Sequence, residues 1–325
     1  MEAQTKTPDS VEDAPSGDRV ADAAAGNWVD RLAPPATRPY LRLSRADRPI
    51  GTWLLLLPCW WGVGLAMIAY GPRLFDIWIV IACAVGAFVM RGAGCTWNDI
   101  TDRDIDAQVA RTRSRPLPSG RVSLRAAYAW MIAQSLIGFV ILLTLGPAAI
   151  WLGIASLALV AIYPFAKRFT WWPQLFLGFA FNWGVMLAYA AHAGRLDFAP
   201  FVAWLGGIAW TIFYDTIYAH QDAEDDALIG VKSTARLWGD DSPRWLARFA
   251  ALALAILTVA MLLAARGEFS AALIGLAGIA GFGAHLLWQM HTLDTADGAL
   301  CLRLFKSNRD AGLILALFLA IAGIV

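Results

Sequence analysis

Residues 75–106 read FDIWIVIACAVGAFVMRGAGCTWNDITDRDID, and this stretch decides the fold. Its first part, about 75–96, is an apolar block of the length that crosses about 30 Å of hydrocarbon. Its last part is acidic. An amphipathic helix of a soluble protein would interleave the two residue types around its circumference. Here they are segregated along the chain, so an apolar span ends in a polar cluster.

The whole chain has the same character. Of its 325 residues 58% are hydrophobic and only 16% charged, with a mean hydropathy of +0.55. A soluble domain carries about 25% charged and about 45–50% apolar residues. The net charge of +1 and the lack of a long basic run make no case for nucleic acid. Cys59, Cys83, Cys95 and Cys301 lie in or beside apolar blocks and form no CxxC pair, so they read as small buried hydrophobes. Residues 1–39, rich in Ala, Asp, Pro and Thr, are expected to be a disordered extension ahead of a membrane domain over 40–325. The extension has no signal-peptide core and its acidic residues make a poor transit peptide, so a bacterial inner membrane is the expected address, with a mitochondrial one as the alternative.

Nine apolar stretches of spanning length follow, at about 50–70, 75–96, 126–146, 147–165, 173–193, 199–219, 246–265, 269–290 and 309–325. The basic residues fall mostly on one side of them. Arg103, Arg111, Arg113, Arg115, Arg121, Arg125, Lys167, Arg168, Lys232, Arg236, Arg244, Arg303, Lys306 and Arg309 share that side. The opposite loops hold Arg73, Arg195 and Arg266. The positive-inside rule then puts the N-terminus and the first set of loops in the cytoplasm.

Two acidic clusters lie on that side. The second span ends in Asn98, Asp99, Asp102 and Asp106, which project from one face of a helix. The sixth ends in Asp222, Asp225 and Asp226, of which Asp222 and Asp226 are an i,i+4 pair. Stacked carboxylates repel one another, poorly screened at a membrane boundary, and something positive has to compensate. Mg²⁺ suits such a site: it prefers oxygen ligands and binds one or two carboxylates together with substrate phosphates. One acidic run between spans is ordinarily a solvated connector, but two at matching positions on one side point to a divalent metal site holding a diphosphate. Arg111, Arg115 and Lys232 follow the clusters and suit the remaining diphosphate oxygens. As simple positive-inside residues they would need no ligand. Tyr163, Lys167 and Arg168 end the fourth span, and Arg45 stands before the first. Asn182, alone in the fifth span, reads first as helix–helix glue.

These residues resemble the UbiA superfamily of intramembrane prenyltransferases, whose signature is an NDxxDxxxD motif followed by a DxxxD motif. The matching residues here are 98–106 and 222–226. The resemblance extends from about residue 40 to the C-terminus. It is strongest to the 4-hydroxybenzoate polyprenyltransferase branch, through RADRPIGTWLLLLP (45–58), RTRSRPLPSG (111–120), YPFAKR (163–168), YDTIYAHQDAEDDALIGVKSTA (214–235) and FKSNRDAGLILA (305–316). It implies an all-α integral membrane protein, with nine transmembrane helices around a central cavity and an aspartate-rich cytoplasmic mouth. It also implies a reaction. Mg²⁺ on Asn98, Asp99, Asp102, Asp106, Asp222, Asp225 and Asp226 draws diphosphate off a polyprenyl donor, and the allyl cation attacks 4-hydroxybenzoate ortho to its hydroxyl, in ubiquinone synthesis. The motif aspartates would carry the catalysis. Asn98, Arg111, Arg115, Tyr163 and Lys232 would bind substrate, with Arg45 and then Lys167 as the cation for the acceptor carboxylate.

Other readings differ in testable ways. Branches of the superfamily in menaquinone, haem or chlorophyll pathways would use another acceptor. A cation- or proton-coupled transporter would carry its acids near the membrane midplane rather than at one interface. The DGxxAR pattern of CDP-alcohol phosphotransferases is absent from the sequence.

Overall fold

The computed structural model describes residues 20, 26–108, 112–223, 227 and 230–325, and among these every regular element is a helix. The bundle is built from α1 (Ile50–Tyr70), α2 (Phe75–Asp106), α3 (Leu124–Leu142), α4 (Pro147–Ile162), α5 (Pro173–Asn182), α6 (Gly184–Ala193), α7 (Phe198–Ala219), α8 (Ser242–Ala265), α9 (Phe269–Thr292) and α10 (Gly298–Ala322). Among the described residues seven helices are long and apolar enough to cross a membrane, α5 and α6 together forming one of them. The chain is therefore a multi-pass membrane protein.

Against the expectation of nine spans, α7 and α10 fall outside that set although they are 22 and 25 residues long. Their polar residues explain part of this: α10 carries Arg303, Lys306, Arg309 and Asp310, and α7 carries Asp215, and all of these line an internal cavity. The final span was expected over 309–325, with the basic run before it in a loop. Instead α10 begins at Gly298, where the Asp297 side chain accepts from the Leu300 backbone N–H at 2.9 Å. That cap satisfies an end group of the helix and lets it start three turns early.

The 32 residues of α2 make a rod of about 48 Å, against about 30 Å of hydrocarbon. Its last turns therefore stand clear of the apolar slab, and they carry the first acidic motif. α5 and α6 are one rod broken at Trp183. Beside the break, Asn182 Nδ2 donates to Gly178 O at 2.9 Å and to Thr211 Oγ1 on α7 at 2.7 Å, which is the helix-joining role expected of it. Gly184, just past the break, lies so close to α1 that a Cβ there would come within 2.4 Å of Cys59 Sγ.

The core centres on Trp61 of α1, Trp210 of α7 and Phe282 of α9, with ring centroids 5.0–6.0 Å apart. Their polar atoms are satisfied without water, as hydrocarbon requires. Trp61 Nε1 donates to Gly312 O at 3.0 Å and Trp210 Nε1 to Asn308 Oδ1 at 2.9 Å. Asn308 and Gln289 exchange side-chain amide bonds at 3.0 and 3.2 Å, joining α10 to α9. At the end remote from the acidic motif, Arg266 Nη2 donates to Tyr70 at 2.8 Å and to Asp197 at 3.0 Å, tying the helix ends together. Burial works to raise the Asp197 pKa, but hydrogen bonds from Tyr70 and Tyr189 and the charges of Arg195 and Arg266 hold its carboxyl below the usual range.

Part of the expected disordered extension is folded. Asn27 caps a short helix, Trp28–Leu32, and Trp28 Nε1 donates to Ala46 O at 2.7 Å. Asp30 pairs with Arg42 at 2.8 Å. A five-residue helix with one buried valine leaves no periodic trace in the sequence, and tertiary contact holds it. Residues 1–19 and 21–25 lie outside the described residues.

Candidate functional site

The last two turns of α2 place Asp99, Asp102 and Asp106 on its inner face, each buried, while Asp104 on the outer face is 85% exposed. Helical spacing alone accounts for this division. Each buried carboxylate meets cations from other segments. Arg45 forms a fork with Asp99, Nη2–Oδ1 at 2.5 Å and Nη1–Oδ2 at 3.0 Å. Arg115 Nη1 lies 2.8 Å from Asp106 and 3.6 Å from Asp99. Lys167 Nζ and Arg168 Nη2 both reach Asp102, at 2.5 and 3.2 Å. Arg45 holds its place in the left-handed region, at φ 57°, a strained conformation for a side chain of its size. Its Nη1 also donates to Arg42 O at 3.2 Å, so the turn before α1 is fastened from both sides.

The charge compensation that the motif demands is thus met by arginine and lysine. Arg45 and Lys167, expected to receive an acceptor carboxylate, are occupied by Asp99 and Asp102. Arg115 is placed as expected, beside the motif and lining the cavity. Lys232 is not among the cavity-lining residues; its ammonium lies 5.9 Å from the Trp171 ring. Its backbone N–H donates to Lys167 O at 3.4 Å, so the segment after the second motif touches the end of the fourth span. Asp222 sits half-buried in the 3₁₀ turn that ends α7. Beside it, burial lowers the pKa of His220, favouring the neutral imidazole. Arg111, Asp225 and Asp226 lie outside the described residues.

Among the described residues no cluster of three or more His, Cys, Asp or Glu is arranged to hold a metal. The donor set nevertheless fits a hard cation. It consists of oxygen atoms only, and the Asn98 side chain opens on the cavity with no hydrogen-bond partner among the described residues.

Below this mouth lies a cavity of about 920 Å³, walled by α1, α2, α5, α7 and α10. Two charged residues that motif reading passed over stand deep in it. Arg91 lies seven residues before Asn98 on α2, and Asp215 seven residues before Asp222 on α7. Seven residues are two helical turns, about 10 Å, which puts Arg91 on the face of the first motif; Asp215 stands on α7 before the 3₁₀ turn that carries Asp222, and both Arg91 and Asp215 line the cavity. The signal was available: an ionisable residue inside an apolar span marks a functional site by default. Arg91 has a built seat. Gly51 leaves room for it, since a Cβ there would lie 2.5 Å from Nε, and its guanidinium stands 5.3 Å from the Phe181 ring centroid. Among the described residues Nε has no hydrogen-bond partner.

Arg91, Tyr163 and Phe181 also border a second space, an apolar groove of about 410 Å³ among α1–α6. Gly86 and Gly94 line it, and a Cβ on either would meet nothing within 4 Å. A polar mouth, a deep cavity and a groove running into the lipid-exposed helices are therefore joined at Arg91.

These features define an all-helical integral membrane protein whose ion-paired acidic rim stands over an apolar groove. The chain itself belongs to the UbiA prenyltransferase family, whose model matches residues 55–323. It is 44% identical over 291 residues to 4-hydroxybenzoate polyprenyltransferase, mitochondrial, of Rattus norvegicus, covering 89% of this chain and 76% of that one. Identity to the Homo sapiens protein of the same name is 42% over 307 residues, covering 93% and 80%. The apo structure of a UbiA homolog from Aeropyrum pernix K1 superposes with a TM-score of 0.64 at 26% identity, covering 83% of this chain and 96% of that one. A UbiA homolog from Archaeoglobus fulgidus bound to GPP and Mg²⁺ shares the fold, with a TM-score of 0.67 at 19% identity and coverage of 88% and 99%.

Arg45→Met leaves Asp99 buried with the more distant Arg115, at 3.6 Å, as its ion-pair partner among the described residues. It is expected to cost about 3 kcal/mol, read as a lowered Tm of the metal-free protein in detergent, and adding Asp99→Asn should recover part of the loss. An unchanged Tm in the single variant would show that the fork carries no structural weight.

Proposed function

We propose that this chain is an Mg²⁺-dependent aromatic prenyltransferase, moving a polyprenyl chain from its diphosphate to 4-hydroxybenzoate, ortho to the hydroxyl, in ubiquinone synthesis. The observation that carries the substrate assignment is the high identity to 4-hydroxybenzoate polyprenyltransferases over nearly nine-tenths of the chain. The geometry supports it. A membrane donor needs a polar seat for diphosphate next to an apolar seat for its tail, and an acidic acceptor needs a buried cation between them.

Asn98, Asp99, Asp102 and Asp106 would hold Mg²⁺ from one side and Asp222 from the other, with Asp225 and Asp226 following in sequence. When bound, Mg²⁺ supplies the positive charge that stabilises a departing diphosphate. Arg45, Arg115, Lys167 and Arg168 already stand at these carboxylates, where their positive charge suits a diphosphate. Arg111 and Lys232 are proposed for the outer edge of the same site, and Tyr163 for the rim of the groove. We assign the acceptor carboxylate to Arg91 rather than to Arg45 or Lys167, because Arg91 faces the cavity and, among the described residues, has no carboxylate in hydrogen-bond range. Leu54, Leu177 and Phe305 line the same cavity and limit the water that would capture an allyl cation. The catalytic domain is taken as residues 40–325. The skew of basic residues supports a mouth facing the cytoplasm of a bacterial inner membrane.

Membranes carrying the protein should transfer labelled polyprenyl diphosphate to 4-hydroxybenzoate only with Mg²⁺. Asp99→Ala and Asp222→Ala should each lower the rate by at least about 100-fold, the scale of a lost electrostatic contact to the leaving group. Transfer to a different acceptor alone would move the chain to another branch. Arg91→Gln should raise the KM for 4-hydroxybenzoate at least tenfold, about 1.4 kcal/mol, with the donor KM little changed. Equal rises in both would refute the Arg91 assignment.

The groove makes a separate statement about chain length. A Cβ at Gly86 would meet nothing within 4 Å, and Gly86→Phe carries a ring into the groove that Gly86 lines. It should lower kcat/KM for long donors by roughly tenfold or more, about 1.4 kcal/mol, and leave geranyl diphosphate within a factor of about three. A uniform loss across donors would place the tail elsewhere.

A further inference from the structure

The cavity wall contains three carboxylates among the described residues, Asp47, Asp215 and Asp310. Asp47 lies against Arg48 at 3.3 Å and Asp310 against Arg309 at 2.8 Å. Asp215 has no hydrogen bond or ion pair among the described residues, and it stands two turns below the mouth. The same cavity is lined by Tyr214, Tyr218, Phe305 and Leu54, and Arg91 borders it from α2. A carboxylate without a hydrogen bond in an apolar span is costly. Asp222, one heptad above, is the residue of the motif; Asp215 lies outside both motifs.

Ring prenylation has a second requirement besides loss of diphosphate. After the new carbon–carbon bond forms, the attacked ring carbon still carries its hydrogen, and aromaticity returns only when that proton leaves. With its carboxylate on Arg91, the acceptor ring would lie in the cavity whose wall also carries the Asp215 carboxylate.

Resting on the reading of the chain as a 4-hydroxybenzoate prenyltransferase, we propose that Asp215 is the general base that removes the ring proton. The ring carbon ortho to the hydroxyl bonds to C1 of the polyprenyl group, and the C1–O bond breaks with its electron pair leaving on diphosphate. The proton on the attacked carbon passes to an Asp215 carboxylate oxygen, and the C–H electron pair restores the aromatic ring. Asp215 then loses the proton to water at the mouth. Atoms and charge balance without any further reactant.

The test compares wild type, Asp215→Asn and Asp215→Glu in detergent-solubilised protein, using 4-hydroxybenzoate and its 3,5-dideuterated form. Wild-type transfer to 4-hydroxybenzoate must be seen first; its failure would refute the functional reading and not the base. Given that activity, Asp215→Asn should lower kcat by roughly 100-fold or more and leave both KM values within about threefold. Proton removal should become rate-limiting, so a primary deuterium isotope effect of at least about 2 should appear in the variant beyond any in wild type. Asp215→Glu should recover part of kcat with an intermediate isotope effect. If Asp215→Asn does not fold, the isotope effect in Asp215→Glu decides, and a value equal to wild type overturns the proposal. A fall in kcat with no isotope effect would mean that Asp215 serves only as a counter-charge to Arg91 or the allyl cation, which also overturns it. So would wild-type kcat in Asp215→Asn.

Discussion

Three carboxylates cannot be buried on one helix face at the edge of a membrane unless cations accompany them, and the fork between Arg45 and Asp99 is the central instance. The partners come from separate parts of the chain: Arg45 from the turn before α1, Arg115 from the segment after α2, Lys167 and Arg168 from the end of the fourth span. Satisfying the charges therefore gathers the rim of the bundle around the end of α2. The left-handed backbone at Arg45 is a measure of this constraint, since a strained turn persists only where its surroundings over-determine it. Removing one partner of such a pair is costlier than the pair is stabilising, because the other charge remains buried.

Below the rim the division of labour follows solvation. The mouth is ion-paired, the cavity mixed and the groove apolar, in the order in which a prenyl diphosphate would meet them. Arg91 sits where the three join. Its position depends on an absence, the missing side chain at Gly51, and on the face of Phe181. The extra length of α2 and the cap at Asp297 belong to the same design, for they carry polar residues out of the hydrocarbon and down into the cavity wall.

Ion pairing at the motif also shows how far charge arguments reach. Clustered aspartates demand positive charge, and the arginines and lysine of the rim meet that demand as a metal ion would. Electrostatics alone does not distinguish the two. Chemistry of the donors does, because an all-oxygen set with an open asparagine suits Mg²⁺, and a diphosphate would have use for both the metal and the displaced cations.

Membrane insertion, the helical class and the first motif's face were legible in the sequence, because apolar block length and helical spacing are local properties. Asn182 as a helix joiner was legible for the same reason: a lone polar residue in hydrocarbon must find a partner. The family resemblance was carried by short segments whose spacing is likewise local. The partners were not legible. That Arg45 grips Asp99, that Lys167 lies on Asp102 and that Arg91 and Asp215 border one cavity depend on how distant helices pack. Sequence records no such distance. The short helix Trp28–Leu32 was hidden for a related reason, since a few contacts to Ala46 and Arg42 hold it and no pattern of its own does. What the chain crosses and what it presents at the surface were written locally; which charge neutralises which was decided only when the bundle closed.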